Sequence, residues 1–277
     1  MSHAWRRGAK IVALLGGAVV LTVLTQVGGI VLLAVALLAK ARRWSFGVAT
    51  LVFLLAYGAT TALIVPPAAK ALGRERLPCL ADHDQPYGAI SPVLCALNRT
   101  YARPRAKAVV SALAYRMALE FPGTTTRYLD AGFPFLDGFP LLPHLSHRDG
   151  LKIDLAYFYR EADGRVVADG AASPIGYWAY EGPRAVEARP CAGLHGPTLR
   201  WDFAGLQSRV TRRADPERMT AMLAWLTTSG RELGLRKILI EPHLKQRWAP
   251  GADMVRFQGC RAARHDDHLH LEIRPDA

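Results

Sequence analysis

Hydrophobic and polar positions divide the chain into two unlike parts. Residues 11–39 are almost purely apolar, broken only by Thr22, Thr25, Gln26 and glycines, and residues 44–66 form a second apolar run. Each is long enough to cross a hydrocarbon core of about 30 Å as a helix. At 1.5 Å per residue the first run reaches about 43 Å, long for one upright span and short for two. One tilted helix over residues 11–38 is the simplest expectation, with a bend at Gln26-Val27-Gly28-Gly29 as the alternative. The second helix, over residues 44–66, should stop at Pro66-Pro67, because proline lacks the N–H that a continuing helix needs.

Beyond residue 67 the pattern changes. Residues 68–102 show no sustained periodicity and read as a linker and an irregular stretch. Val109, Leu113, Met117 and Phe121 recur every four residues, which predicts a helix over 105–121. Asp215 is placed to cap a helix starting at Pro216, with Met219, Leu223 and Leu226 inward. Residues 151–160 and 165–169 flank Ala162-Asp163-Gly164, a hairpin signal, and residues 237–241 predict a short strand. Near the C-terminus His268, Leu269, His270 and Leu271 alternate. A strand there turns both imidazoles to one face and the leucines into a core. The expected fold class is α+β. A small antiparallel sheet with flanking helices over residues 103–277 would carry a metal site, preceded by a membrane anchor over residues 1–67 with two transmembrane helices.

Charge supports the anchor. Residues 1–68 hold six Lys/Arg and no Asp or Glu, so half of the net +12 charge lies in the first quarter of the chain. Basic residues flanking apolar runs are a pattern of membrane orientation rather than of nucleic-acid binding, which the sequence does not support. A cleaved signal peptide is the rival reading, disfavoured by the length of the first run and by the second run behind it. With two spans both ends lie on one side and Lys40, Arg42 and Arg43 lie on the other. The positive-inside rule then puts that loop in the cytoplasm and the C-terminal domain in the periplasm or outside the cell. Arg6, Arg7 and Lys10 are equally basic and pull against this arrangement.

All four cysteines, Cys79, Cys95, Cys191 and Cys260, follow the apolar runs. No two make a Cys-x-x-Cys pair, so disulfides in an oxidising compartment are expected. Proximity in sequence favours Cys79 with Cys95, leaving Cys191 with Cys260.

The chemistry gathers in two short segments. His268 and His270 on one strand face make half of a zinc site. His147, on a loop that Gly150 lets turn sharply, and Asp154, on the strand that follows, supply the other half. His147, Asp154 and His270 then give two nitrogens, one oxygen and an open position, the ligand set of a catalytic zinc. His268 is the candidate general base, and His265 is placed to stabilise a developing oxyanion or assist proton transfer. Asp266, Asp267 or Glu272 would orient an imidazole N–H. Arg261 and Arg264 lie beside the site and read first as surface charges, with pairing to a substrate carboxylate as the alternative.

Ser146-His147-x-x-Gly150-Leu151-x-x-Asp154 followed by His265-Asp266-x-His268-x-His270 resembles the penicillin-insensitive murein endopeptidases, within the lysostaphin, D-Ala-D-Ala metallopeptidase and hedgehog-type group. The resemblance runs over roughly residues 130–277 and is concentrated in these two motifs. His144 fits the family's His-x-Ser-His pattern and is expected behind the ligands or facing substrate. Residues 237–245 look similar to the strand-proline-helix stretch that precedes the family's last motif. The resemblance implies a Zn2+-dependent enzyme hydrolysing peptide cross-links between peptidoglycan stem peptides, most readily as a D,D-endopeptidase, with His268 and His265 in the roles given above. D,D-carboxypeptidase and L,D-peptidase activities, or a degenerate binder of peptidoglycan or of an envelope partner, are the alternatives. Residues 172–200 have no counterpart in the family pattern.

Overall fold

The computed structural model describes residues 3–173, 175–200 and 211–275. The first apolar run is not one tilted helix. It folds as a hairpin of α1 (His3–Thr25) and α2 (Gly28–Arg42). The break has local causes. Thr25 Oγ1 donates to the Leu21 carbonyl at 2.6 Å and accepts from Gly28 N at 2.8 Å, drawing backbone partners away from the helix ladder. Gln26 takes a left-handed φ of 63°. Gly29 then lets the two helices touch: a Cβ there would stand 2.2 Å from the Ala18 carbonyl oxygen.

α3 (Phe46–Ala59), capped by Ser45, runs through a π-turn at Thr60–Ile64 into α4 (Val65–Ala71). Pro66 and Pro67 therefore do not end the rod. The π-turn re-routes the Val65 N–H to the Thr60 carbonyl, and both prolines fall in the first turn of α4, where their missing N–H groups cost least. Two helical stretches, Gly8–Thr25 and Phe46–Ala71, are long and apolar enough to cross a membrane.

The remainder is an α+β unit. In chain order it holds β1 (Glu75–Arg76), β2 (Tyr87–Ala89), α5 (Pro92–Ala96), β3 (Tyr101–Ala102), α6 (Pro104–Glu120), β4 (Thr126–Tyr128) and β5 (Lys152–Ala156). These are followed by β6 (Tyr159–Arg160), β7 (Val166–Val167), β8 (Arg213–Ala214), α7 (Pro216–Thr227), α8 (Ser229–Glu232), β9 (Leu235–Leu239), α9 (Pro242–Trp248), β10 (Val255–Arg256) and β11 (His268–Ile273). The main sheet is larger than a small antiparallel one, and it is mixed. Its six strands run β10-β9-β11-β5-β4-β2; the four inner strands are antiparallel, while β10 and β2 pair parallel at the edges. Each edge strand arrives from its own helix or turn rather than from a hairpin, which permits parallel pairing. β6 and β7 form the expected hairpin, joined by β8 in a separate sheet.

α6 and α7 cover one face. Val109, Leu113 and Met117 meet Met219, Leu223 and Leu226 over Ile153, Leu155, Leu269 and Leu271, all buried in one core. Asp215 caps α7 as expected, accepting from Glu217 and Arg218 N. The other face of β5 and β11 lies under loops that include His147, Tyr177, Trp178 and His265. Both expected disulfides form. Cys79–Cys95 ties the β1–β2 segment to α5, and Cys191–Cys260 ties residues 172–200 to the approach to β11.

Candidate metal centre

Antiparallel register places the first two residues. His270 on β11 stands directly opposite Asp154 on β5, beside the pairs Leu269–Leu155 and Leu271–Ile153. Opposed residues share a face, so the leucines enter the core and the carboxylate meets the imidazole on the loop-covered side. The third arrives from the loop. Gly150 turns at φ +73°, where a Cβ would stand 3.2 Å from Arg103 N, and this brings His147 over Asp154.

The contacts identify what the group can hold. His147 Nδ1 lies 2.7 Å from the Ala131 carbonyl and donates to it, leaving a lone pair on Nε2 of the neutral ring. That atom is 3.1 Å from Asp154 Oδ1 and 3.2 Å from His270 Nδ1, and His270 Nδ1 is 2.8 Å from the same oxygen. Three electron-rich atoms converge, all buried, which requires protons or a shared cation among them. Nitrogen and oxygen ligands of one metal ion lie about 3 Å apart, close to these spacings. His144, His147 and Asp154 form a triple able to hold a metal, their ligand atoms within 4.8 Å of one another. His270 Nδ1 shares Asp154 Oδ1 with His147, whereas His144 Nδ1 sits on Oδ2 at 2.9 Å.

Electrostatics follow from burial and close charges. Burial alone would raise the Asp154 carboxyl, but His147 and His268 outweigh it and hold it well below the usual range. His147 is raised against its own burial by Asp154. His268 is pushed up to about 9: burial pulls it down, and Asp154 and Asp267 overcome that. Its Nδ1 contacts Asp267 Oδ1 at 2.5 Å, and its Nε2 is 3.8 Å from Asp154 Oδ2. His265, with its ring centre 5.0 Å from that of His268, is held well below the ordinary value by burial and by repulsion from His268 and His270.

Of the three acids considered, Asp267 is the one that orients an imidazole. Asp266 instead takes Arg264 at 2.6 and 2.9 Å. Glu272 is held by Arg236 and Lys237, 3.8 Å from His270 Nε2. Arg264 stacks 3.5 Å over the Tyr180 ring at the cleft wall, and the Arg261 carbonyl accepts from Leu199 N. Sequence reasoning missed Tyr177. Its hydroxyl lies 2.8 Å from Asp154 Oδ2, 3.1 Å from Asp130 Oδ2 and 3.1 Å from His144 Nδ1. Asp130 is itself gripped by Arg99 at 2.6 and 2.9 Å. No motif or spacing in the sequence singles out Tyr177. Leu94, Ile175, Tyr177, Trp178, Tyr180 and Leu199 wall a cleft of about 250 Å³ that ends on His144 and His268.

No family model matches the sequence, and no curated protein matches it.

Proposed function

We propose that the chain is a membrane-anchored zinc hydrolase that cuts peptide cross-links of peptidoglycan outside the cytoplasmic membrane. The observation that carries this reading is the convergence of His147 Nε2, Asp154 Oδ1 and His270 Nδ1 in the buried layer behind His144 and Asp267-held His268, which line the end of the cleft. Zinc, when bound there, supplies Lewis acidity toward a peptide carbonyl and acidifies water. The protein supplies the rest. His147, Asp154 and His270 hold the ion. Asp267 fixes the His268 ring so that Nε2 faces the site and can take a proton. A cation on Asp154 cancels part of the charge that raises His268, freeing its lone pair nearer neutral pH. His265, kept neutral by its surroundings, donates a hydrogen bond to a developing oxyanion without adding a second positive charge.

The hairpin improves the topological argument. Its turn lies against the domain: Asn98 Nδ2 donates to the Thr25 carbonyl at 3.2 Å, and Gln26 Oε1 accepts from Phe135 N at 3.0 Å. Three passes then leave Arg6, Arg7 and Lys10 on the same far side as Lys40, Arg42 and Arg43. The two basic clusters no longer compete, and the positive-inside rule puts both in the cytoplasm and the domain outside. Two disulfides agree with that compartment. The peptidoglycan assignment itself rests on the resemblance of the two motifs. The test is digestion of purified peptidoglycan by the full chain with zinc, followed by mass identification of fragments. Release of cross-link cleavage products supports the reading; a zinc-loaded protein that releases nothing replaces it with a binding module.

A further inference from the structure

The membrane helices run straight into the base of the domain and hold it close to a bilayer. From Ile11 to Thr25, α1 provides about 22 Å of apolar rise, and α3 needs the distance from Phe46 to Val65 to reach about 30 Å. A hydrocarbon core is about 30 Å thick. Yet Val65 is already buried with Val27 and Tyr101 at the base of the domain. With Phe46 at the inner boundary, Val65 and the hairpin turn packed on it therefore lie near the outer one, and the base of the domain rests against the bilayer.

What the domain presents at that level is apolar. Residues 133–145 read Phe-Pro-Phe-Leu-Asp-Gly-Phe-Pro-Leu-Leu-Pro-His-Leu. The loop starts beside the turn, at the Phe135–Gln26 hydrogen bond, and then descends. Phe139 shares a cavity with Leu15, Ala18, Val19, Val23 and Leu33 of the hairpin. Ala18 lies about 12 Å along α1 from Gln26. Asp137, the loop's one carboxylate, is turned back onto Arg74 and Arg103. Leu136, Leu142 and Leu145 stay 60%, 48% and 55% exposed, and Val93 on neighbouring α5 is 58% exposed. Exposed leucines continuous with membrane helices mark a surface covered by lipid.

The same segments build the mouth of the cleft. Leu94, next to Val93, and Pro143, between Leu142 and His144, line it together with His268. The Leu142 carbonyl accepts from Arg99 Nη1 at 2.8 Å, locking the loop to the cleft wall. We propose that residues 133–145 lie within the outer leaflet and that the cleft takes a substrate whose peptide-bearing headgroup is tethered to that leaflet by a long apolar chain. The tail stays in the bilayer beside Leu142 and Leu145 while the headgroup reaches His144 and His268. This substrate class rests on the hydrolase reading above; the membrane position of the loop does not.

The experiment uses the full chain in lipid nanodiscs. A bimane label on Leu136→Cys or Leu142→Cys should be quenched by lipids brominated on the acyl chain, and a label on Val186→Cys, 93% exposed beside the Glu187–Arg247 ion pair, should not. The same stem peptide is then offered with and without a polyprenyl tail. We expect kcat/KM at least tenfold higher for the tailed form, and a smaller ratio of the two rates in Val93→Asp/Leu136→Asp. Unquenched loop labels or equal rates overturn the proposal. If neither form is cut, the hydrolase reading falls, and binding of the same two molecules decides this one: a tenfold preference for the tailed form supports it, and equal affinity overturns it.

Discussion

Two buried carboxylates show how differently one fold can neutralise a charge. Asp215 meets Arg218 at 2.8 Å and Arg160 at 3.0 Å, and caps α7. Arg218 also donates to the Val167 and Tyr159 carbonyls. Every charge in that cluster has a permanent partner within the chain. Asp154 is equally buried, but among its close neighbours are His144, His147, His270 and the Tyr177 hydroxyl, with no arginine or lysine in direct contact among the described residues. Guanidinium is always charged; imidazole is charged only when protonated. A carboxylate closed off by arginine is structural, whereas one ringed by imidazoles leaves the neutralising charge to be supplied by protons or by a metal. The difference separates a brace from a site.

The largest effect expected is on turnover. His268→Ala should keep zinc, since His268 is outside the ligand triple, and lower turnover about 10² to 10⁴-fold. Cleavage of cross-linked muropeptides at the parental rate would remove His268 as base. At the other carboxylate, Asp215→Ala should cost about 3–5 kcal/mol, because it leaves Arg218 buried without its carboxylate, and should leave zinc content unchanged. Chemical denaturation of the disulfide-intact protein measures the first and metal analysis the second. A smaller effect is expected at Tyr177→Phe. Losing the hydroxyl on Asp154 Oδ2 should weaken zinc about 10- to 100-fold with little change in unfolding midpoint.

pH separates the two sites further. The Asp215 carboxyl is held below its ordinary value; burial opposes this, and the hydrogen bonds from Arg218 and Arg160 outweigh it. A depressed carboxylate contributes stability that is complete above its unfolded pKa, about 3.9, and is lost as pH falls through the folded value. The stability gap between the parent and Asp215→Asn should therefore be flat from pH 8 to 5 and close only below about 4. Zinc affinity should behave otherwise. Its imidazole ligands must be deprotonated, and His147 is raised by Asp154, so affinity should climb from pH 6 to 8 with protons released on binding. Calorimetry in two buffers of different ionisation enthalpy reads that release.

Much of this contrast was legible in the sequence because it depends on short-range rules. Period-two alternation put His268 and His270 on one face, the Asp215-Pro216 step marked a helix start, and cysteine spacing suggested the pairing. Features set by close approach or long loops were not legible. The helix break at Gln26 depends on Thr25 bonding its own backbone and on Gly29 touching Ala18, inside a run that reads as uniformly apolar. The π-turn that carries the rod past Pro66 leaves no periodic trace. Parallel pairing at the sheet edges depends on where β2 and β10 arrive, and Asp266 turns to Arg264 rather than to a histidine because of a local side-chain path. Tyr177 reaches Asp154 from a segment without periodicity, so no spacing rule connects the two.

The central claim is that Asp154 and its imidazoles hold a metal ion that the Asp215 cluster has no need of. It is tested most directly by metal analysis of the full chain purified in detergent, beside Asp154→Asn and Asp215→Asn. The account predicts about one zinc per chain in the parent and in Asp215→Asn, and almost none in Asp154→Asn. Equal zinc in the parent and in Asp154→Asn, or a parent that holds none after incubation with zinc, would contradict it.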